Sequence, residues 1–374
     1  MGLKRLFLVD GAAGTGKSDL LHIAQHDLEG RVCILTKYTS APRRAGPKPT
    51  KRSSKDNDLK FVTREEMKRI KKSHNSNAYS YFYPKNGGEE YLLLRSEIEE
   101  GLSENDNLFV VIRSAKVIKE IIADFPAVEV IPLFVYALKD NTVTRLKAEG
   151  FDKNEIDFAM TRGENAISDY YNYPTLYRAV LINDSNKDIF RKLVIEFYKA
   201  RSDDSRNHLV ISAAEKFYLP SFLQPHALRI SKALVSTCYE KNVFVMMEFD
   251  RSADKHSHQL CNAISAKGYN PVRADAPDWN LTGDIYNPYA VLFCCKFGVA
   301  LFGAKKVPDR SRTYNINVAI EAAAMILQDK KCLVLKHKSL AAPPFDLTSR
   351  LHEEYDELRE LKSKVERWLS QVHN

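Results

Sequence analysis

One short segment constrains the fold of this 374-residue chain more than any other. Residues 11–18 read GAAGTGKS: a glycine, four residues, a second glycine, a lysine and a serine. The apolar run RLFLVD precedes the segment, and DLLHIAQHDL, with apolar residues at helical spacing, follows it. A glycine-rich loop between a buried strand and a helix presents backbone N–H groups and the positive end of the helix dipole to a phosphate. The segment therefore predicts a nucleotide-binding loop in an α/β domain.

Each residue of this loop has an expected role. Gly11, Gly14 and Gly16 would let the backbone approach the phosphates without an intervening Cβ. Lys17 would reach the β- and γ-phosphates of ATP or GTP, and Ser18 would hold Mg²⁺. Binding does not establish turnover, so a catalytic role for Lys17 and a purely sensing role for the loop both stay open.

The composition indicates a globular protein of the cytoplasm. Apolar residues make up 44% of the chain, and no apolar run reaches the roughly 18 residues that a membrane span needs. The first residues, MGLKRLFLVDGAAG, lack the apolar length and the cleavage site of a signal peptide. The six cysteines form no CxxC pair, and we expect them to be reduced. No membrane partner is expected.

Alternating apolar strands and amphipathic helices predict two α/β domains with parallel sheets. The first alternation runs from residue 1 to residue 201. A polar linker and a helix are predicted over 202–241, and a second alternation of strands and helices fills 242–374. Within it, apolar residues at helical spacing over 351–372, among them Tyr355, predict a single helix.

Basic residues are concentrated between residues 41 and 72. This segment holds twelve Lys or Arg against four Asp or Glu, which equals the formal net charge of +8 of the whole chain. A basic loop of this kind can bind the phosphates of nucleotides or of nucleic acid, or it can simply be solvated. Nucleic-acid binding through 41–72 is the weaker alternative, and it predicts affinity that falls steeply with salt.

We call residues 11–18 the phosphate loop. Several blocks downstream of it resemble the guanylate kinase family. YTSAPRRAG, LKFVTREEMKRI and RAVLIND are each similar to a characteristic segment of that family. The resemblance covers about residues 3–200 and implies a P-loop kinase-like parallel sheet. It also implies that Arg43 or Arg44, together with Asn183, binds the nucleotide.

The chain departs from this family at positions whose side chains would bind the acceptor nucleotide or stabilise the transferred phosphoryl group. Leu59 replaces a tyrosine that would hold the acceptor phosphate, and Arg113 ends a strand where the family has acidic residues. Phe158 and Ala159 replace two lid arginines, and Arg162 is the remaining candidate for their role. Transfer depends on positive charge around the equatorial oxygens. A nucleotide sensor, a kinase for another nucleoside monophosphate and a true guanylate kinase therefore all stay open.

Acidic and amide side chains follow the strands of the second half. The strand NVFVMMEFD ends at Asp250 and NPVRAD ends at Asp275, while YNINVAIE places Asn317 and Glu321 four residues apart on a helix. The carboxyl ends of parallel strands share one edge of a sheet, which is where such sheets bind ligands. We therefore expect these side chains to converge.

These blocks resemble the TIR-like and nucleoside 2-deoxyribosyltransferase-like proteins over about residues 242–370. The resemblance implies a flavodoxin-like domain that cleaves an N-glycosidic bond in NAD or a related nucleotide. A carboxylate stabilises the oxocarbenium-like state at C1′ or attacks it, a role that falls to Glu321. Asn317 would orient Glu321, and Asp250 and Asp275 would bind ribose hydroxyls or assist the leaving base.

Two functional hypotheses follow. In the first, a kinase-like domain that binds ATP or GTP with Mg²⁺ is coupled to an N-glycosidase domain, a pairing that resembles bacterial antiphage systems. In the second, the chain is a nucleoside monophosphate kinase for GMP or a dNMP, with a second domain that binds nucleotides without turnover. Assembly into a homo-oligomer stays open under both.

Overall fold

The computed structural model describes residues 4–40, 58–74, 77–83, 89–203, 208–213, 215–248, 254–303, 315–340 and 352–372. The chain divides into two compact units, Met1–Ser231 and Lys232–Asn374, each with its own sheet and core. No helix within the described ranges combines the length and the apolar character needed to cross a membrane.

The first unit alternates strands with helices. Its strands are β1 (Arg5–Gly11), β2 (Val32–Ile34), β3 (Lys37–Thr39), β4 (Leu59–Phe61), β5 (Ala78–Tyr83), β6 (Glu89–Leu94), β7 (Asn107–Val111), β8 (Glu129–Tyr136), β9 (Ala179–Ile182), β10 (His208–Ile211) and β11 (Lys216–Leu219). Its helices are α1 (Lys17–Asp27), α2 (Arg64–His74), α3 (Arg95–Glu104), α4 (Ala115–Asp124), α5 (Lys139–Ala148), α6 (Lys153–Asn172), α7 (Lys187–Asp203) and α8 (Ala227–Ser236), which crosses the boundary to the second unit.

The main sheet of the first unit has seven strands in the order β11-β10-β9-β8-β1-β7-β2. Neighbouring strands are parallel except β10 and β11, which are antiparallel. Strands of parallel sheets are covered on both faces and therefore read as unbroken apolar runs, as RLFLVD does in β1. Helices α1 and α7 pack on one face, where Phe7 stacks on Phe109 with ring centroids 4.3 Å apart. The predicted parallel α/β sheet is confirmed.

A smaller four-stranded sheet lies within the first unit, in the order β4-β3-β6-β5. Strands β3 and β4 are parallel, and the other pairs are antiparallel. Helix α2 packs on this sheet through the fully buried Met67, which contacts Leu92 and Leu94 of β6.

The second unit contains a five-stranded sheet in the order β13-β12-β14-β15-β16, with all neighbours parallel. Counted along the unit, this order is 2-1-3-4-5, which is the flavodoxin-like order. Its strands are β12 (Asn242–Met246), β13 (Asn270–Val272), β14 (Phe297–Phe302), β15 (Lys331–His337) and β16 (His352–Tyr355). Its helices are α9 (Asp254–Ala266), α10 (Asn287–Phe293), α11 (Ile316–Leu327) and α12 (Leu358–Gln371).

Two expectations differ from the structure. Residues 202–241, predicted as a linker and a helix, contain the helix α8 but also the strands β10 and β11, because the short apolar run HLVI pairs with β9 and extends the main sheet. The end of the chain is not one helix, since Tyr355 lies in β16 and α12 begins only at Leu358. A capping box between Glu357 and Glu360 sets that helix start.

Candidate functional site

The loop between β1 and α1 has a backbone that favours glycine. Gly11, Gly14 and Gly16 have φ values of 137°, 74° and 97°, a region that L side chains rarely adopt. A Cβ on Gly11 would lie 2.3 Å from the carbonyl oxygen of Val135, and one on Gly16 would lie 2.2 Å from Nδ2 of Asn183. Neither neighbour leaves room for a side chain. Only glycine therefore fits at these two positions of the loop.

Lys17, the first residue of α1, folds back over this loop. Its side chain is only 5% exposed. The Nζ atom donates a hydrogen bond of 2.8 Å to the carbonyl oxygen of Gly11 and a second to that of Ala12. Burial lowers the pKa of the Lys17 ammonium well below its usual range. An anion in contact with Nζ would oppose that effect.

Further cations surround Lys17. After burial, nearby Arg113 is the next cause of the low pKa of Lys17, and Lys37 and Arg162 act in the same direction. Lys37 belongs to β3, Arg113 follows β7, and Arg162 belongs to α6, where its Nη1 donates a 3.0 Å hydrogen bond to Oε2 of Glu89. Three separate elements therefore bring positive charge to the phosphate loop.

The sequence did not identify Lys37 and Arg113 as residues that could bind a phosphate. Lys37 is 3% exposed, and its Nζ donates to the carbonyl oxygen of Val111 at 2.8 Å and to Oδ2 of Asp58 at 3.2 Å. Arg113 was recognised from the sequence only as a departure from an acidic strand end. The sequence carried no signal for Arg113, because its position depends on the pairing of β7 with β1, which brings the residues after both strands to the same sheet edge.

Asn183, at the end of β9, holds the phosphate loop from the side. Its Nδ2 donates a 2.8 Å hydrogen bond to the carbonyl oxygen of Thr15. Arg145 of α5 holds Asn183 in turn, with Nη2 at 2.8 Å from its carbonyl oxygen and 3.1 Å from Oδ1. Asn183 is 4% exposed, so its predicted binding role would act through the position of the loop.

Few donors near the loop suit Mg²⁺. Ser18 is exposed at the start of α1, and β7 ends at Val111 without a carboxylate. The buried carboxylate of Asp10 accepts hydrogen bonds of 2.6 Å from Tyr177 and from the N–H of Gly11. No cluster of three His, Cys, Asp or Glu that could hold a metal occurs among the described residues. The residues fit Mg²⁺ only as an ion held mainly by nucleotide phosphates and water, with the Ser18 hydroxyl as the protein ligand.

Three predicted site residues lie outside the described residues. They are Arg43 and Arg44, predicted to bind the nucleotide, and Asp250, predicted at the end of β12.

In the second unit, Glu321 is a buried carboxyl on α11. It is 9% exposed, and burial raises its pKa to about 7. Within the described ranges, no side chain or backbone group forms a hydrogen bond or an ion pair with it. A buried acid without a compensating partner is costly to ionise, and such groups concentrate at functional sites.

Asn317 lies one helical turn before Glu321 on α11, and it is exposed. Its backbone N–H donates a 2.9 Å hydrogen bond to Oδ1 of Asn315, the residue that caps this helix. The structure therefore places Asn317 at the start of the helix. The side chains of Asn317 and Glu321 form no hydrogen bond with each other.

Asp275 follows β13 and is exposed. Nε of Arg273 donates a 2.8 Å hydrogen bond to Oδ1 of Asp275, and Arg273 also contacts Ser257 of α9. The nearest partner of Asp275 is thus an arginine of its own loop. No hydrogen bond or ion pair joins it to Glu321. The VRAD segment carried this signal, because arginine and aspartate two residues apart can pair locally.

The chain was compared with protein families, with curated proteins and with solved structures. No family model matches the sequence, and no curated protein matches it. Among solved structures, the chain is similar to the crystal structure of guanylate kinase from Anaplasma phagocytophilum, with 16% identity and a TM-score of 0.35. The similarity covers 54% of this chain and 87% of that one. A similarity this low assigns no role to individual residues, whose roles rest on their geometry.

Proposed function

We propose that the first unit binds a nucleoside triphosphate, ATP or GTP, together with Mg²⁺, at residues 11–18. The observation that carries this proposal is the convergence of Lys17, Lys37, Arg113 and Arg162 on a loop that only glycine can build. Triphosphates are the common anions that match such a concentration of charge, since backbone N–H groups and cations stabilise them together.

Lys17 would change partners on binding. It donates to the carbonyl oxygens of Gly11 and Ala12, which are neutral acceptors. Hydrogen bonds to ionised phosphate oxygens are roughly twice as strong as those between neutral groups. A phosphate would therefore draw the ammonium away from the loop carbonyls and favour its charged form.

The surroundings of the loop favour a sensing role over fast phosphoryl transfer. Arg162, the remaining candidate for a lid arginine, is 10% exposed and ion-paired with Glu89 at 3.0 Å. The adjoining strand β7 ends without a carboxylate that could help to hold Mg²⁺. Phosphorylation of a nucleoside monophosphate is the alternative, and it requires Arg162 to leave Glu89 for the transferred group.

For the second unit, we propose cleavage of an N-glycosidic bond in NAD or a related nucleotide. Glu321 supports this role, because a carboxyl with a pKa of about 7 is available in both protonation states near neutral pH. As a carboxylate it would stabilise the positive charge at C1′ while the base leaves. Water then supplies the hydroxyl that replaces the base at C1′, and the proton of that water is released to solvent or to the base.

One experiment tests both proposals. Purified full-length protein is incubated with Mg²⁺ and a panel of NAD⁺, ATP, GTP, GMP and dNMPs, and the products are separated by chromatography. Lys17→Ala and Glu321→Gln are assayed beside the wild type. Free nicotinamide or free base, absent with Glu321→Gln, would support the glycosidase, and its dependence on ATP and Lys17 would support the sensor.

The other outcomes discriminate as clearly. New nucleoside diphosphates that require Lys17, without free base, would replace the sensor and the glycosidase with a kinase. Base release that persists in Glu321→Gln would remove Glu321 from the reaction. Unchanged ATP affinity in Lys17→Ala, measured by calorimetry, would contradict the binding site itself.

A further inference from the structure

A second cationic feature of the first unit lies on α2 and the four-stranded sheet. Helix α2 and strands β5 and β6 enclose a groove of about 450 Å³. Its lining consists of three lysines and three uncharged residues: Lys68, Lys71, Lys72, Ala78, Ser80 and Leu92. No acidic residue of the described ranges is among the residues that line it. The groove therefore has lysines on its helix side and uncharged side chains on its strand side.

The three lysines form one face of α2. Residues three and four apart on a helix are neighbours, so Lys68 lies beside both Lys71 and Lys72. Lys71 forms an ion pair with Glu90. Lys68 and Lys72 are exposed, and neither pairs with an acidic residue in the described part of the chain. Like charges at this spacing destabilise a helix, which an anionic ligand along the row would relieve.

The strand that forms the floor of the groove also presents an aromatic ring. Phe82 of β5 is 60% exposed. Side chains alternate between the two faces of a strand, so Phe82 shares a face with Ala78 and Ser80, which line the groove. The cationic row and an exposed phenyl ring therefore lie along one face of the same sheet.

We propose that this groove binds single-stranded nucleic acid, with phosphates against Lys68 and Lys72 and a base stacked on Phe82. The two lysines are separated by one helical turn, a rise of about 6 Å, which suits successive groups of a flexible polyanion. Proteins that bind single strands combine a cationic groove with aromatic rings on which bases stack. A duplex hides the faces of its bases, and an acidic peptide has no need of the ring, so the combination favours single strands.

The test measures binding of the full-length protein to fluorescently labelled single strands of DNA and RNA about 20 nucleotides long, longer than a typical site of ~4–16. Fluorescence anisotropy is recorded at several salt concentrations, without added nucleoside triphosphate. The paired substitution Lys68→Glu with Lys72→Glu should weaken binding at least about tenfold at low salt. It should also flatten the plot of log K against log salt by about 1.4, because two phosphate contacts are lost.

Matched variants separate this site from general charge effects. Lys187→Glu with Lys192→Glu makes the same charge change on exposed lysines of α7 and should leave most of the affinity. Phe82→Ala should weaken binding by about 5- to 150-fold, the range for loss of one stacked base. Tyr218→Ala, which removes a 38% exposed ring from β11, should not. Lys68→Gln with Lys72→Gln should weaken binding in the same direction without adding acidic charge, which keeps the proposal testable if the glutamate pair misfolds, whereas Lys68→Arg with Lys72→Arg should retain binding.

Several results would overturn the proposal. One is the absence of binding by wild type at low salt, and another is an equal loss of affinity in the α2 and α7 lysine pairs. A preference for duplex over single strands would contradict the role of Phe82. Competition by polyglutamate at least as strong as by unlabelled single strands, with no effect of Phe82→Ala, would instead identify an acidic polypeptide as the partner.

Discussion

The side-chain Nδ2 of Asn183 lies 2.8 Å from the carbonyl oxygen of Thr15, a hydrogen bond that joins residues 168 positions apart. It connects the end of β9 to the phosphate loop, so the shape of that loop depends on a strand formed much later in the chain. Because Arg145 holds Asn183 through two further contacts, the loop is supported by two layers of side chains.

Asn183→Ala should therefore weaken binding of Mg²⁺-ATP by about tenfold, the effect of losing one buried hydrogen bond. Calorimetric titration measures the change. Asn186→Ala is the control, since Oδ1 of Asn186 accepts a 2.9 Å hydrogen bond from the N–H of Ile189, near the start of α7. It should lower the melting temperature and leave affinity unchanged. Equal affinities for both variants would show that Asn183 does not position the loop.

Gly16→Ala should abolish nucleotide binding. The new Cβ would lie 2.2 Å from Nδ2 of Asn183, so the loop or Asn183 must move. Gly30→Ala is the matched control, because Gly30 has a similar φ of 91° but its Cβ would meet nothing closer than 3.6 Å. Both variants carry the strain of a positive φ, and both should melt at a lower temperature than wild type. Loss of affinity in Gly16→Ala alone, seen by equilibrium dialysis, would assign the effect to the collision.

Nucleotide binding should be linked to uptake of a proton by Lys17. Burial holds the pKa of this lysine well below its usual range in the free protein, and bound phosphate should raise it again. Between those two pKa values the bound state carries more protons, so affinity should fall as pH rises. Calorimetry in two buffers with different ionisation enthalpies measures the uptake. Proton release on binding would contradict this account, and Lys17→Met should show no binding to analyse.

Glu321→Gln should stabilise the protein at neutral and alkaline pH. The folded pKa of about 7 lies above the unfolded value near 4.5, so the folded state holds the proton more tightly. Wild-type stability should therefore fall as pH rises from about 4.5 to 7, by up to about 3 kcal/mol. The amide has no such titration, and its advantage over wild type should grow across that interval and then stay constant. Denaturant melts at several pH values measure the difference.

Glu354→Gln provides the opposite case in the same unit. The hydrogen bond and charge of Lys336 lower the pKa of the Glu354 carboxyl, so its contribution is present above its unfolded pKa and is lost as pH falls. This variant should be slightly less stable than wild type near pH 7, and the difference should vanish in acid. If both variants follow the same pH trend, burial of Glu321 is not the cause.

The parallel sheets could be read from the sequence because their strands are apolar runs between helical patterns. RLFLVD became β1, and KCLVLKH became β15 over Lys331–His337. The phosphate loop was equally legible, since its glycines and Lys17 form a local pattern that does not depend on distant parts of the chain. A local pattern of this kind predicts the local structure without knowledge of which strands pair.

The environment of each site could not be read in the same way. Arg113 is an ordinary surface-type residue in the sequence, and only the adjacency of β7 to β1 brings its charge to Lys17. The burial of Glu321 depends on how the second unit packs around α11, and the pairing of Asp275 with Arg273 depends on the path of one loop. Sequence spacing identifies the groups that carry chemistry, whereas long-range pairing decides which of them meet.

The hairpin formed by β10 and β11 has a consequence for how the first unit can be isolated. It covers the outer edge of β9, whose backbone would otherwise offer open N–H and carbonyl groups to other chains. A fragment that stops at residue 201 would expose this edge and should self-associate into insoluble material. A fragment that continues to Ser231 keeps the edge sealed, and Lys216, on the new outermost strand, discourages further addition.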